Sequence, residues 1–385
     1  MKLLLSLFFI VFSPTISAFA SVEVVQSVPI ETTLQVPGIP LTQQVWLEMI
    51  SGAKKSIDLE QFYINNKNGE SLEPILTAII AAANRGVQVR LIVDIKFFKN
   101  YPDVPTQFSK IQNIQVETID FSSYGGIQHA KFFVVDQSLS FLGSANFDWL
   151  ALSHIHEVGL KVDDAQVSAG LESVFTQDWA AGTKLGAASF TTESLISGLL
   201  KKKHFLSSSN VQSNVQLVAS PTADLPRGIS QTLSSITSLL ASARSAIKIQ
   251  VYQYSTKGEK GDWLVLDNEL RKAAARGVQV KLMVDAVALK SAETELKALA
   301  AVKNIQVKTV IIPLWSAGAI PYARLIHSKY FTVDGSSSWV GTENWSESYF
   351  TGCRNVGLIV HASDITSQLD QIYDQVWNSA YSTVL

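Results

Sequence analysis

Residues 128–146 read QHAKFFVVDQSLSFLGSAN, and residues 326–344 read IHSKYFTVDGSSSWVGTEN. Each stretch holds a His, a Lys two residues on, an Asp five further, and a Gly-(Ser/Thr)-x-Asn tail. In the first copy these are His129, Lys131, Asp136, Gly143, Ser144 and Asn146. In the second they are His327, Lys329, Asp334, Gly341, Thr342 and Asn344. Every matched pair is separated by the same 198 positions.

The repetition extends outward from these stretches, as the period of a duplicated unit should. Residues 81–94, AAANRGVQVRLIVD, match 272–285, KAAARGVQVKLMVD, at an offset of 191. Asn-Ile-Gln-Val occurs at 113–116 and again at 304–307, and Trp179 matches Trp377. Each half has one coarse order. Helices are expected over 42–53 and 229–243, then strands over 56–64 and 246–254. Second helices over 72–85 and 264–276 end at Gly86 and Gly277, residues suited to a helix C-terminus. Strands over 87–93 and 278–284 follow, then the Asn-Ile-Gln-Val strand, the motif strand, one more strand and a closing helix. Alternating helices and strands predict an α/β fold of two duplicated sandwich domains. Each domain is a mixed sheet flanked by helices, and the two are related by a pseudo-twofold. The first domain is expected over 21–205, a polar linker over 206–214, and the second domain over 215–385.

With 385 residues, 47% of them apolar and 17% charged, the chain can bury a large core. A net charge of -2 argues against a protein that coats long nucleic acid, so phosphate affinity must be local. Residues 1–20 read as a secretory leader: Lys2, an apolar run, and Ala18-Phe19-Ala20 as a cleavage site. Cleavage near Ala20 predicts a secreted or periplasmic protein. Cys353 is the one cysteine, so no intrachain disulfide can form.

The motif defines a chemistry. Residues two apart on a strand share a face, so each His points with its Lys. A buried His and Lys are costly unless an anion meets them. Asn146 and Asn344 would add amide donors from the following loop, with Ser144 and Thr342 beside them as further phosphate ligands. Two His, two Lys and two Asn converging would cage a phosphate. One neutral imidazole would attack phosphorus to give a phosphohistidine. The other, protonated, would release the leaving oxygen and then activate water or an alcohol. No metal or cofactor is called for, and no protein partner is implied. Glu157 lies 28 residues after His129, where the second half has Asn355 after His327. A carboxylate behind an imidazole orients it, which points to His129 as nucleophile and His327 as acid. The same carboxylate would also raise a His pKa and favour the acid role. Asp136 and Asp334, at the strand ends, complete the candidate set as orienting residues that do not touch substrate.

With its two intact H-x-K-x4-D motifs and G-S/T-x-N tails, the chain resembles the phospholipase D superfamily. The likeness covers nearly the whole mature chain. HAKFFVVD, LGSANFDW, IPYARLIHSKY and Asn344-Trp345-Ser346 are most similar to the animal lysosomal and poxvirus phospholipase-D-like exonucleases. That branch implies the phospholipase D fold, a two-histidine mechanism and single-stranded nucleic acid cleaved from the 5′ end. Its animal members depend on disulfides and glycans, and this chain has a single Cys. The alternatives are a phospholipase D or phosphatidyl transferase acting on phospholipid, and a catalytically silent phosphate-binding protein. An aromatic-lined groove would favour the nuclease, and an exposed apolar rim the lipase.

Other residues invite blander readings. His154, His156, His204 and His361 lack the cysteines or acid clusters of a metal site, so structural roles are expected. Cys353 is expected to be a small buried thiol. Residues 311–320, IIPLWSAGAI, are either an apolar strand end or a lipid-facing loop around Trp315. Tyr63, Tyr124 and Tyr322 are candidates for base stacking or simple packing.

Overall fold

The computed structural model describes residues 20–185 and 214–385. The leader before Ala20, most of the linker and His204 lie outside the described residues.

Two large mixed sheets carry the two halves. The first has the strand order Ser21–Ser27, Glu157–Asp163, Leu139–Gly143, Phe132–Val135, Ser56–Gln61, Gln88–Asp94, Ile114–Ile119, Thr183–Lys184. The second repeats that order with Val215–Ser220, Asn355–Val360, Ser337–Gly341, Tyr330–Val333, Ala246–Val251, Gln279–Asp285, Ile305–Val310 and Ser382–Val384. It adds Ser230–Gln231 at one edge. Ser56–Gln61 is the switch in the first half: it runs parallel to Gln88–Asp94 and antiparallel to the motif strand Phe132–Val135. Ala246–Val251 does the same in the second. Motif strands buried on both faces fit the runs Phe-Phe-Val-Val and Tyr-Phe-Thr-Val.

Helices Thr42–Gly52 and Glu73–Asn84 cover the outer face of the first sheet, and Thr232–Ser242 and Val265–Ala275 that of the second. Gly86 and Gly277 follow the second helix of each pair at φ +94°, where a side chain would be strained. Each half has its own outer core, one built around Trp46 and the other around Trp339 and Trp345. A third core lies between the sheets. It is filled by the closing helices Ala165–Ala181 and Ser363–Trp377 and draws residues from both halves. Among the described residues, no helix is long and apolar enough to cross a membrane.

The halves are also stitched backbone to backbone. Gln128 bridges to Arg354 and His156 to Ile326, each in parallel sense. At the seam, Gly126 and Gly352 approach so closely that a Cβ on Gly126 would lie 2.3 Å from the Gly352 backbone.

Candidate active site

The two motif histidines are not on the regular strands, as their spacing suggested. Strand pairing begins only at Phe132 and Tyr330. His129 and His327 lie just ahead, on extended segments that pair with the opposite half. The His129 N–H donates to the Arg354 carbonyl at 2.9 Å, and the His327 N–H to the His156 carbonyl at 2.8 Å. Both imidazoles therefore line one pocket of about 640 Å³ at the seam, with Asn146 and Asn344.

This crossing corrects the pairing expected for Glu157. Glu157 and Asn355 each follow the residue that takes the opposite histidine's N–H, so each side chain reaches the opposite histidine. Glu157 Oε1 lies 2.8 Å from Nδ1 of His327, and Asn355 Oδ1 lies 2.9 Å from Nδ1 of His129. The Asn355 amide is oriented without ambiguity. Its Nδ2 donates to the Tyr349 carbonyl at 2.7 Å, which can only accept, so Oδ1 must face His129. Both histidines thus carry a proton on Nδ1 and leave Nε2 for the pocket.

Electrostatics separate the pair. Burial depresses the His129 imidazolium well below its usual range, and Lys131 adds to this. Burial also lowers His327, to about 4, against the upward pull of Glu157. Glu157 stays ionised although buried, because His327 and Lys329 stand beside it. Lys131 and Lys329 are buried, each giving one N–H to its own histidine's carbonyl at 2.5 Å. Two N–H remain on each for a ligand. Burial pushes Lys329 down to about 7, and burial with Lys329 beside it also depresses Lys131 well below the usual lysine range. Glu157 offsets only part of the positive charge these groups can carry, and an entering phosphodiester supplies the rest. Asn146 and Asn344 have buried side-chain oxygens without partners. Turning such an amide so that its N–H₂ meets a phosphate oxygen would satisfy it.

Lys131, Lys329 and Glu157 lie buried behind the residues that line the pocket, and four further expected members serve elsewhere. The Ser144 hydroxyl is used up between the strands, accepting from the Val158 N–H and donating to its carbonyl, each at 3.1 Å. The Thr342 hydroxyl donates to Asn355 Oδ1 at 2.8 Å and accepts the Val356 N–H at 3.2 Å. Both set the second layer rather than grip phosphate. Asp136 and Asp334 lie at the far ends of the motif strands from the histidines, at φ +52° and +54°. Asp136 accepts the N–H groups of Lys54, Lys55 and Ser56; Asp334 accepts those of Arg244, Ser245 and Ala246. They orient neighbours, as expected, but by clamping a turn outside the pocket, so they are not catalytic.

Sequence reading missed an acid in the pocket wall. Asp148 caps the helix Trp149–Ser153 through the Leu150 N–H and accepts Tyr63 Oη–H at 3.0 Å. Burial raises it to about 6. An Asp directly before the apolar run Trp-Leu-Ala-Leu is a helix N-cap signal that would have placed it. The wall is aromatic: Phe62, Tyr63, Phe97, Tyr101, Tyr252, Tyr322 and Tyr349 line it. Tyr63 stacks on Tyr101 with centroids 4.7 Å apart. Tyr124 lies elsewhere, in a polar cleft with Ser255 and Lys257. His156 is held by Ser328 and Gln250, and His154 packs between Trp149 and Trp315. Cys353 is buried.

Comparison with known proteins agrees with this geometry. A family model described as "Cardiolipin synthase, PLD-like domain" matches twice, over residues 46–179 and 236–377. The chain is 32% identical over 391 residues to phospholipase D Z of Dictyostelium discoideum, covering 94% of this chain and 90% of that protein. It is 31% identical over 373 residues to the 5′-3′ exonuclease PLD3 of Rattus norvegicus, covering 89% of this chain and 76% of that one. In fold it is similar to phosphatidylserine synthase of Haemophilus influenzae, with a TM-score of 0.64 at 14% identity over 89% and 85% of the two chains. With two family matches centred on its two histidine motifs, the chain belongs to the phospholipase D superfamily.

Proposed function

We propose that the chain is a phosphodiesterase working through a phosphohistidine, with His327 as nucleophile and His129 as general acid and base. The observation that carries this is the pair of imidazoles in one pocket, each pinned at Nδ1 and free at Nε2, with different partners behind. Nε2 of His327 attacks phosphorus as the P–O bond breaks. The negative charge of the bound diester favours the imidazolium of His129, protonated at both nitrogens, and its Nε2–H gives its proton to the leaving oxygen. The phosphorylated His327 ring carries positive charge, which Glu157 stabilises at 2.8 Å. The orienting-carboxylate argument thus moves the nucleophile from His129 to His327, because the carboxylate stands behind the other ring. In the second step Nε2 of His129 takes a proton from water, the oxygen attacks phosphorus, and the N–P bond returns its electron pair to His327. Lys131, Lys329, Asn146 and Asn344 supply N–H donors to the non-bridging oxygens.

Single-stranded nucleic acid attacked from its 5′ end is the substrate we favour. The stacked aromatic wall supports this, since aromatic faces hold unpaired bases of any sequence. The similarity to a 5′-3′ exonuclease supports it too. A phospholipid is the second reading, on a different observation. The loop over 311–323 has no charged residue, reaches the pocket through Ile320, Pro321 and Tyr322, and exposes Ile311 and Leu314 at 68% and 69%. Incubation with 5′-labelled single-stranded oligonucleotides and with phosphatidylcholine vesicles separates the two. Release of labelled 5′ products without choline is expected; choline release alone would reverse the ranking. Because the site's groups are N–H donors, turnover is expected to survive excess EDTA. Loss of activity that added Mg²⁺ restores would sink the mechanism. We also propose export of the mature chain, on the leader-like residues 1–20.

A further inference from the structure

Below the two histidines lies a second layer, and it is charged on one side only. Arg354 is fully buried and joins the halves. Its guanidinium meets Asp178 with two bonds, of 2.6 and 2.8 Å, Asp224 at 2.6 Å and the Ser220 carbonyl at 3.0 Å. Its backbone donates to the Ile127 carbonyl at 3.0 Å and accepts the His129 N–H at 2.9 Å. The next side chain, Asn355, holds His129 Nδ1. Glu60 stands near Asp178, and burial with that neighbour raises its carboxyl well above the usual carboxylate range. Glu60 in turn accepts from Gln128, the residue before His129, at 3.1 Å. The network closes on His129 from both directions along its chain.

The equivalent layer below His327 keeps the backbone bonds and drops every charge. His156 stands where Arg354 does, donating its N–H to the Leu325 carbonyl and accepting that of His327. Val376 takes the place of Asp178, and Gln250 that of Glu60. A buried ion pair is poor value for stability alone, and packed uncharged side chains often replace one without loss. The second half provides such a replacement at the same place in the fold. Charge is retained only beneath the histidine that must both give and take a proton.

We propose that the Arg354–Asp178 pair is a positioning device for His129. It fixes the Arg354 carbonyl and the Asn355 amide, so that Nε2 of His129 aims at the leaving oxygen and then at water. The inference rests on His129 being the acid in the proposed mechanism. Arg354 and Asp178 do not touch substrate; their effect passes through His129.

The dependence on leaving group tests this. Asp178→Asn keeps the shape and removes the charge. Two phosphodiesters are compared, one with a nucleoside leaving group and one with p-nitrophenolate, which departs without a proton. The kcat for the nucleoside ester should fall about 100-fold with KM unchanged, while the first-turnover burst of p-nitrophenolate stays within about threefold. Asp178→Glu should recover part of the loss. If Asp178→Asn folds poorly, the double variant Arg354→Met with Asp178→Leu gives the same comparison with no fully buried charge left unpaired, since Asp224 is partly exposed. Equal losses on both esters in a protein of unchanged Tm would overturn the proposal, and so would no loss on either. Mass spectrometry of the quenched burst checks the underlying roles separately. Phosphate on the His327 peptide upholds them, and phosphate on the His129 peptide removes the basis of the proposal whatever the rates.

Discussion

His129 and His327 occupy matching places in two copies of one motif, and their surroundings are inverted. His327 touches a carboxylate and rests on an uncharged layer of His156, Gln250 and Ser328. His129 touches a neutral amide and rests on a buried ionic layer. A duplicated scaffold supplies two equivalent imidazoles, and a two-step displacement asks different things of them. The difference comes from second-layer residues, and the motif itself is left intact in both copies.

Removing either ring should have the largest effect. His327→Ala and His129→Ala are each expected to lower turnover of a nucleoside diester by about 10⁴-fold or more. Only His129→Ala should still release p-nitrophenolate in a burst and trap phosphate, on the His327 peptide, where a denaturing quench and mass spectrometry would find it. A trapped adduct in His327→Ala instead would invert the comparison.

Exchanging the partners comes next. Glu157→Gln should slow phosphoenzyme formation on the order of 10²-fold, read by stopped flow, because the ring charge loses its counter-ion. Asn355→Asp should make the sides alike and raise the basicity of His129, moving the alkaline limb of kcat/KM to higher pH. An unmoved limb would show that the amide is not what distinguishes His129.

The pH profile sharpens the comparison further. Nε2 of His327 must be unprotonated to attack, and its folded pKa is lowered to about 4. Activity should therefore fall as pH drops through about 4. Lys329 must be charged to meet the diester and is lowered to about 7, so kcat/KM should also fall as pH rises through that value. Lys329→Arg, charged at every pH, should lose the part of that fall due to Lys329 and keep the part set by His129.

The smallest effect is expected at the turn clamps. Asn tolerates the left-handed backbone of Asp136 and Asp334, so Asp136→Asn and Asp334→Asn test charge alone. Each should cost about 1–2 kcal/mol in urea unfolding and leave kcat unchanged. A tenfold drop in kcat would return these residues to the active site.

The parts of the fold legible in the sequence are those set by local pattern. The 198-residue period, the glycines at helix ends and the apolar runs of the motif strands each depend on neighbours along the chain. Ser21–Ser27 and Val215–Ser220 were not foreseen, because a strand at or next to a sheet edge is defined by the strand it joins. The same limit explains the misplaced Glu157. A separation of 28 residues suggested a partner within one half, but the backbone crossing at the seam decides which ring the carboxylate meets. Ser144 and Thr342 share the motif tail with Asn146 and Asn344, yet a shift of two residues turns a pocket ligand into an interstrand tie.

The backbone exchange at the seam has a consequence for inheritance. Each repeat encodes one nucleobasic ring and the tuning group for the other repeat's ring, so neither can drift alone. A dimer of two first repeats would hold two Glu-backed histidines, and a dimer of two second repeats two Asn-backed ones. In such symmetric assemblies the two rings would have identical partners. Joining the copies in one chain lets a single mutation at position 157 or 355 act on one ring only. One chain thus lets the two rings be tuned apart, which a homodimer, bound to mutate both sites at once, cannot do.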